Sequence, residues 1–363
     1  MRRSTNESGE IKVQASAYTL ICPTDRPYVY LADAKVKNRF AELFVLSSVH
    51  TLTGRDDTTR IGSWQIEDRN GQITLTLTAE SSFWKQKTYR IYCDDMRLRY
   101  EIEVEGQGQL TEASYFGGYY SGQVRWGAGF FWSGQRFKKG FNPEPTVDEE
   151  YYFTPSSGSM IDLAGVPLPG KAGWFFTPPP FCFAFQAGKS WLGLGVEGAP
   201  GQNRYMDYRY HGQQGSFYLS LNYEGYTTVD STYTLPAIGF DFAANEYDAL
   251  EKHVASLRTQ KLVPTHATKD KPAWWRNPIY CGWGSQCYVA SKNGKRAPEY
   301  AQQTLYDGFL KALEANDVVP GIVVLDDKWQ ATYGDNHVDE NKWHDLRGFI
   351  DQQHAAGRKV LLW

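Results

Sequence analysis

The chain has 363 residues, a length that accommodates two domains, and its net charge of −3 at pH 7 gives no electrostatic basis for binding nucleic acid. No apolar run approaches the length of a membrane span, so we predict no membrane partner. The cysteines follow no zinc-binding or redox spacing, which predicts buried thiols in a reducing compartment and no metal site.

Residues 1–10 are mostly polar, and we predict that they form a disordered tail. The basic start Met1–Arg3 is followed by the polar stretch Ser4–Glu10 rather than by an apolar core, so no secretory signal is indicated. The sequence therefore predicts a cytoplasmic location.

Residues 11–243 have the texture of antiparallel β-strands. Apolar and polar residues alternate strictly over Ile73–Thr78 and over Leu98–Glu105, as in strands with one buried face. Turns that contain glycine, such as Arg69–Gly71, recur between these stretches, and no helical pattern of convincing length interrupts them. We predict a large β-sandwich of two antiparallel sheets over residues 11–243.

The segment Gly193–Gly198 matches the G-x-G-x-x-G pattern of dinucleotide-binding sites. Such a site needs a helix directly after the motif, whereas Ala199–Gly201 contains a proline and a glycine that disfavour a helix start. We therefore interpret the segment as a strand that ends in a glycine turn, and we predict no cofactor.

Residues 244–272 are predicted to form a linking helix and a linker. Asn245 is a favourable N-cap residue, because its side chain can accept a hydrogen bond from the first helical turn. The expected apolar face of this helix consists of Tyr247, Leu250, Val254 and Leu257.

Residues 273–363 alternate strands with helices, which is the pattern of a parallel α/β unit. The predicted strands are Pro278–Trp283, Ile322–Leu325 and Lys359–Trp363. The middle strand is apolar throughout, as expected for a strand covered on both faces. It ends abruptly in two carboxylates and an indole.

Two helices are predicted between these strands. The first begins near Pro298 and has an apolar stripe of Leu305, Phe309 and Leu313, widened by Tyr306 and Leu310. The second is expected to end before Gly357 as its C′ glycine, and its apolar face consists of Trp343, Leu346, Phe349 and Ile350.

Three motifs, namely G-W-G after the first strand, L-D-D-K-W at the second and G-x-K-V-L-L-W at the third, resemble the opening of the barrel in clan D glycoside hydrolases, which comprise families 27, 31 and 36. The residues that carry the resemblance are Gly282, Trp283, Leu325, Asp326, Asp327, Trp329, Gly357 and Trp363. Lys328 departs from the pattern, because the family more often has a small residue there. The resemblance implies an α+β multidomain chain, with an N-terminal antiparallel β-sandwich followed in residues 273–363 by the first three strands of a (β/α)8 TIM barrel.

Asp326 and Asp327 are the central candidates for substrate binding. Adjacent residues at a strand end point in opposite directions, so the pair is poorly placed to act as acid and nucleophile on one bond. Two acceptor carboxylates are suited to holding sugar hydroxyls, and the resemblance implies this role. A turn or a helix N-cap after the strand is the structural alternative. Trp283, Trp329 and Trp363 are further candidates, either as an aromatic wall for the sugar or as packing inside the barrel.

The resemblance implies a retaining α-glycosidase that acts on terminal α-linked sugars of an oligosaccharide or glycoside, with α-galactosides favoured. In clan D the nucleophile and the acid/base follow on the fourth and sixth strands, so no catalytic residue is assigned and this chain alone is predicted to be inactive. The alternatives are a non-catalytic carbohydrate-binding protein that uses aromatic platforms and a related transglycosidase. The sequence leaves the oligomeric state open.

Overall fold

The computed structural model describes residues 1–24, 26–34, 39–69, 71–125, 137–142, 150–155, 160–162, 182–198, 205, 207–213, 215–263 and 271–363. The chain divides into two compact units, Met1–Thr265 (unit 1) and His266–Trp363 (unit 2). Among the described residues, no helix combines the length and the apolar character needed to cross a membrane.

Unit 1 consists mainly of β-strands with one helix, α1 (Glu246–Thr259), in its described part. The strands are β1 (Arg2–Thr5), β2 (Ile11–Gln14), β3 (Tyr18–Cys22), β4 (Tyr28–Asp33), β5 (Arg39–Phe44), β6 (Val49–Thr51), β7 (Thr58–Ile61), β8 (Gln65–Arg69), β9 (Gln72–Ser81), β10 (Gln86–Cys93), β11 (Arg97–Glu105), β12 (Gly108–Tyr115), β13 (Gly118–Tyr120), β14 (Gln123–Arg125), β15 (Lys139–Phe141), β16 (Tyr152–Phe153), β17 (Met160–Asp162), β18 (Cys182–Ala187), β19 (Ser190–Glu197), β20 (Asp207–Gln213), β21 (Ser216–Val229), β22 (Thr232–Thr234) and β23 (Ala237–Ala243).

The described strands of unit 1 form three sheets rather than the predicted two. One sheet has the order β1-β2-β3-β4-β5, and another has the order β17-β20-β21-β12-β6. The largest has the order β14-β13-β7-β9-β10-β11-β23-β19-β18-β15-β16, with β8 beside β9 and β22 beside β11. The mostly-β architecture is as the sequence predicts, and nearly all of these strand pairs are antiparallel, with β13 and β7 parallel.

The alternating stretches behave as predicted. In β9 the apolar side chains from Ile73 to Ala79 are buried at every second position, and β10 pairs with it in register from Ala79 to Ile73. In β11 the same alternation buries Leu98, Tyr100, Ile102 and Val104. These residues belong to the hydrophobic core of unit 1, because the period-2 pattern turns all of them to one face.

The prediction of a disordered tail over residues 1–10 is wrong for its first part. Arg2–Thr5 forms β1, which pairs antiparallel with β2 from Arg2 opposite Gln14 to Thr5 opposite Ile11. All its side chains are exposed, so apolar burial does not hold it in place. The backbone hydrogen bonds to the edge of β2 hold β1 in place, and polar composition alone does not indicate such bonds.

Helix α1 packs on unit 1, whereas the sequence predicted a link between domains. The Asn245 side chain caps it by accepting a hydrogen bond from the Asp248 amide at 2.8 Å, as predicted. Its buried residues are Ala249, His253 and Leu257, so the buried face is rotated from the predicted stripe and Tyr247 is 59% exposed. Of the predicted linker, residues 264–270 lie outside the described part.

The G-x-G-x-x-G segment forms part of the surface on which helix α1 packs. Gly193–Glu197 lie in β19 and Gly198 directly follows this strand, while residues 199–204 lie outside the described part. A Cβ added at Gly195 would overlap the imidazole of His253, and one added at Gly193 would lie 3.3 Å from the Cβ of Ala249. The glycines therefore allow α1 to approach the sheet closely, and this explains a pattern that resembles a nucleotide motif.

A cluster of charges beside His253 ties α1 to the sheet. The Arg97 guanidinium donates to Asp241 at 2.7 Å and also to Glu197 and to Ser256 of α1. The Nε2 atom of His253 lies 3.1 Å from the carbonyl oxygen of Val196. Because the carboxylates are buried and paired, removal of one partner would leave a buried charge uncompensated.

The first prediction concerns Gly195. The change Gly195→Ala is expected to lower the free energy of unfolding of unit 1 by about 1–3 kcal/mol, the range for overpacking a filled core. Urea unfolding measures the loss. Gly308→Ala in unit 2 is the matched control, because a Cβ added there has open space; it should not destabilise the protein. If Gly195→Ala is as stable as wild type, the close approach of α1 to the sheet does not depend on this glycine.

The second prediction concerns His253. Burial lowers the pKa of His253, and the positive charge of Arg97 acts in the same direction. The nearby Asp241 carboxylate opposes both effects without reversing the shift. The folded state therefore binds the proton less well than the unfolded state, whose imidazole has a pKa of about 6.5. Stability from neutral His253 is complete above that pH and is lost as the pH falls toward the lower folded-state pKa.

Thermal unfolding from pH 8 to pH 5 tests this for wild type and His253→Gln. We expect the melting temperature of wild type to exceed that of the variant most at pH 8, and the difference to shrink below pH 6.5. The other titrating groups are common to both proteins and cancel in the difference. A difference that stays constant with pH would exclude His253 as the source.

Unit 2 contains, in its described residues, three parallel strands in the order β24-β25-β26 and three α-helices. The elements are β24 (Ile279–Cys281), α2 (Trp283–Asn293), α3 (Gln303–Glu314), β25 (Ile322–Leu325), α4 (Leu346–Ala355) and β26 (Lys359–Leu362), with 3-10 helices at Ala273–Arg276 and Ala297–Tyr300. The predicted alternation of strands and helices is confirmed, but helix α2 was not predicted. Trp283 begins that helix instead of ending the strand, and Pro298 lies in a 3-10 helix before α3.

The helices cover one face of this sheet. Val323 and Leu325 of β25 pack with Tyr306 and Leu310 of α3 and with Phe349 of α4. Helix α4 ends as predicted, with Gly357 at a φ of 77° just beyond it. On β24 and β26, by contrast, apolar side chains remain exposed, including Ile279 at 62%.

Candidate functional site

The parallel register of unit 2 brings the carboxyl ends of its three strands to one edge. Cys281 pairs with Val324, which pairs with Leu361 on the other side, and Leu325 pairs with Leu362. The residues that follow each strand therefore emerge together. This is the edge at which binding residues collect in parallel α/β folds.

The Asp326 carboxylate is engaged by its own surroundings. The Asp326 residue is only 9% exposed. One carboxylate oxygen accepts a hydrogen bond from the Cys281 thiol at 2.9 Å, and the other accepts from the Asp327 amide at 2.7 Å. Asp326 therefore links the ends of β24 and β25 as well as presenting a carboxylate.

The Asp327 carboxylate lies in a different environment. The residue is half-buried, and its Oδ2 accepts a hydrogen bond from the Tyr333 hydroxyl at 2.9 Å. This hydrogen bond raises the pKa of Tyr333, which is itself exposed. The Lys328 ammonium lies 5.0 Å from the centre of the Tyr333 ring, a cation–π arrangement. Asp327 therefore faces the loop after β25, where a polar ligand can approach.

The three candidate tryptophans are not equivalent. Trp329 is buried in the core of unit 2, and its indole Nε1 donates to the carbonyl oxygen of Trp363 at 2.7 Å. Trp283 is 38% exposed at the start of α2, and Trp363 is 59% exposed just after β26. The structure thus brings Trp329 and Trp363 together through a hydrogen bond and leaves the rings of Trp283 and Trp363 accessible.

Sequence reasoning missed two residues that hold the aspartate segment. Tyr306 accepts a hydrogen bond from the Asp326 amide at 2.9 Å, and the amide of Gln286 donates to the Asp327 carbonyl oxygen. Both residues are fully buried. Tyr306 was identified only as part of an apolar stripe. Gln286 lies one helical turn after Gly282, and that position could have identified it. It was missed because the helix that contains it was not predicted.

Lys342 anchors the segment after Asp327. Its ammonium donates to the carbonyl oxygens of Lys328 at 3.0 Å and Pro298 at 3.1 Å. Burial lowers the pKa of Lys342, and the nearby Lys328 acts in the same direction. The lysine connects the end of β25 to the 3-10 helix that precedes α3.

The site offers carboxylate acceptors, a thiol and aromatic surface. Within the described residues, no group of three or more His, Cys, Asp and Glu side chains is arranged to hold a metal ion. What the arrangement can do directly is accept hydrogen bonds from ligand hydroxyls and stack on apolar ligand faces.

The third prediction concerns the Cys281 thiol. The Cys281 residue is exposed, whereas the sequence predicts buried thiols, but partial burial of its sulfur, with the hydrogen bond to Asp326, raises the pKa of Cys281 to about 11. At pH 8 its thiolate fraction is then about two-hundredfold below that of an ordinary thiol with a pKa of about 8.5, and alkylation slows accordingly. Mass spectrometry after timed iodoacetamide treatment measures the rate at Cys281 against glutathione.

Asp326→Asn provides the control, because it removes the acceptor carboxylate while retaining the shape. The variant should alkylate faster at Cys281 at the same pH. Equal rates in wild type and variant would show that the carboxylate does not control the thiol.

Solved structures of glycoside hydrolases share the fold of this chain. A glycoside hydrolase family 97 enzyme from Pseudoalteromonas sp. strain K8, in complex with panose, aligns with a TM-score of 0.53 at 8% identity, over 96% of this chain and 53% of that chain. The same family 97 enzyme in complex with acarbose gives the same values. The alpha-N-acetylgalactosaminidase NagBb from Bifidobacterium bifidum, in complex with GalNAc, aligns with a TM-score of 0.57 at 9% identity, over 97% of this chain and 58% of that chain.

This chain therefore spans somewhat more than half the length of these enzymes. No protein-family model matches the sequence, and the search of curated proteins gave no significant match. At these identities the likeness concerns the fold, and it establishes that the chain has a fold found in glycoside hydrolases.

Proposed function

We propose that this chain carries a sugar-binding site of a retaining α-glycosidase resembling clan D, acting on terminal α-linked sugars. The observation that carries the proposal is the position of Asp327. Its half-buried carboxylate follows the central strand of a parallel sheet at the carboxyl edge and faces a loop rather than the core. Substrate contacts in (β/α) folds are commonly made at that edge, and a carboxylate there is placed to make one.

The partner of Asp327 supports a hydroxyl ligand. The Tyr333 O–H group donates to Oδ2 with the same chemistry that a sugar hydroxyl would use. Tyr333 is exposed and Asp327 is half-buried, which supports access of a ligand hydroxyl to this carboxylate. Of the two aspartates, Asp327 is accordingly the better candidate for contacting the sugar.

Asp326 has a mixed role in this proposal. Two hydrogen bonds from the protein already occupy its oxygens, although a carboxylate offers about four lone-pair positions. Its charge remains near the ligand position, and it also fixes the amide of Asp327. The proposal assigns neither the nucleophile nor the general acid to a residue of this chain.

The accessible rings of Trp283 and Trp363 supply the apolar part of the proposed site. Both lie close in sequence to the carboxyl ends of β24 and β26. A sugar ring presents C–H groups on one face that pack against an indole, and its hydroxyls project at the rim toward acceptors. Trp329 stabilises this edge from the core rather than contacting the sugar.

A (β/α)8 barrel is the proposed architecture of the catalytic domain. The exposed apolar residues on β24 and β26, such as Ile279 and Leu361, support it, because parallel sheets bury both faces and pair both edges. The resemblance to families 27 and 36 favours α-galactosides, and α-glucosides or α-xylosides as in family 31 are the alternative specificity.

The fourth prediction tests the role of Asp327. The change Asp327→Asn retains the shape but loses the charge of the acceptor, whose hydrogen bonds contribute about 1.5–3 kcal/mol each. The affinity for methyl α-D-galactopyranoside, titrated by saturation-transfer NMR, should fall about tenfold to a hundredfold. In a longer protein that contains the rest of the barrel and hydrolyses an aryl α-galactoside, kcat/KM should fall by a similar factor.

The control is Asp351→Asn, a chemically identical change at an exposed residue of α4 that pairs with Arg347. It should leave sugar affinity unchanged. The melting temperature of Asp327→Asn should stay close to that of wild type. Unchanged affinity in Asp327→Asn would remove this residue from the site, and a loss of stability without loss of affinity would show that it caps a turn.

A further inference from the structure

The two aspartates lie on a segment that is fixed at both ends by one buried hydrogen-bond relay. We propose that Tyr306 and Gln286 are positioning residues, which set the orientation of the Asp326 and Asp327 carboxylates for ligand hydroxyls. The inference rests on the proposed function, since it concerns the geometry of the same sugar-binding site. Neither residue contacts the ligand; each acts through the backbone.

Tyr306 holds the first end of the segment. Its hydroxyl accepts a hydrogen bond from the Asp326 amide at 2.9 Å and donates to the side-chain oxygen of Gln286 at 2.7 Å. The ring is itself fixed, because it packs at 5.3 Å from Trp343 and at 5.8 Å from Phe309. The hydroxyl thus transmits the rigidity of the core to the peptide that precedes Asp326.

Gln286 holds the second end. Its side-chain amide donates to the carbonyl oxygen of Asp327 and, at 3.1 Å, to the carbonyl oxygen of Ala297. Because its oxygen accepts from Tyr306, the two residues orient each other. The peptides on either side of the aspartate pair are therefore held by one connected set of uncharged groups.

The neighbouring backbone is shaped to admit this relay. A Cβ at Gly282 would overlap the Tyr306 hydroxyl, so this position requires glycine for the close approach. On the other side of β25, the Trp363 amide donates to the Leu325 carbonyl oxygen at 3.0 Å. The segment is thus restrained by β26 as well as by the relay.

Such restraint matters because hydrogen bonds to a ligand depend steeply on position. A displacement of about 1 Å can cost up to a hundredfold in activity even when the displaced group is chemically intact. A relay that only stabilises the fold would change the melting temperature but not the affinity of the remaining folded protein.

The fifth prediction uses Tyr306→Phe, which retains the packed ring and removes the hydroxyl. In the purified chain, the affinity for methyl α-D-galactopyranoside should fall about tenfold. The same change should cost less than about twofold in the Asp327→Asn background, because a carboxylate that no longer binds well loses little by misplacement. Such non-additivity identifies residues that act through one another.

Tyr280→Phe is the matched control. It removes one hydroxyl, which donates to Ser285 at 2.8 Å, from the same unit. Its effect on sugar affinity should be negligible, whatever its effect on the melting temperature. If Tyr306→Phe fails to fold, Gln286→Met interrupts the relay with a side chain of similar length and should show the same non-additivity.

Two outcomes would overturn the inference. Equal losses in the wild-type and Asp327→Asn backgrounds would assign the relay to general stability, as would wild-type affinity in a folded Tyr306→Phe protein. Failure of the proposed function is distinguishable, because Asp327→Asn itself would then bind the sugar as wild type does.

Discussion

Unit 2 depends on the parallel pairing of β25 with a neighbour on each side. This register brings the Cys281 thiol to Asp326 from β24 and the Trp363 backbone to Leu325 and Trp329 from β26. Residues far apart in the chain thus meet at one edge because the backbone register places them there. A shift of one residue in register would turn the helix-facing side chains of β25 to the other face and separate these groups.

Two buried polar clusters, one in each unit, differ in charge. In unit 1 the guanidinium of Arg97 is paired with carboxylates beside a neutral His253, an arrangement in which every charge has a partner. In unit 2 the buried groups of Tyr306 and Gln286 are uncharged. A neutral relay can hold the backbone of the aspartate segment without neutralising its carboxylates, which leaves their charge for a ligand.

Periodic patterns predicted much of the fold. The alternation in β9 and β11 and the apolar run in β25 depend on local side-chain spacing, which the sequence displays directly. Strand β1 and helix α2 were missed because backbone pairing and a helix start at Trp283 leave no periodic signal. Asp326 and Asp327 could be selected as candidate site residues from their place after a strand. The relay could not, because it depends on contacts between residues on different helices.

The hydrogen bond from Tyr333 to Asp327 has a thermodynamic consequence for any hydroxyl that takes its place. Such a ligand exchanges one O–H donor for another, and the released tyrosine hydroxyl is then solvated. The net free energy is therefore small for a hydroxyl that displaces Tyr333, whereas a hydroxyl that binds beside it, at another of the roughly four lone-pair positions of the carboxylate, keeps the full charge-assisted contribution. An exchange of this kind discriminates between ligands by where their hydroxyls lie, and in the proposed site the exposed residues Trp283 and Trp363 would add affinity through surface removed from water.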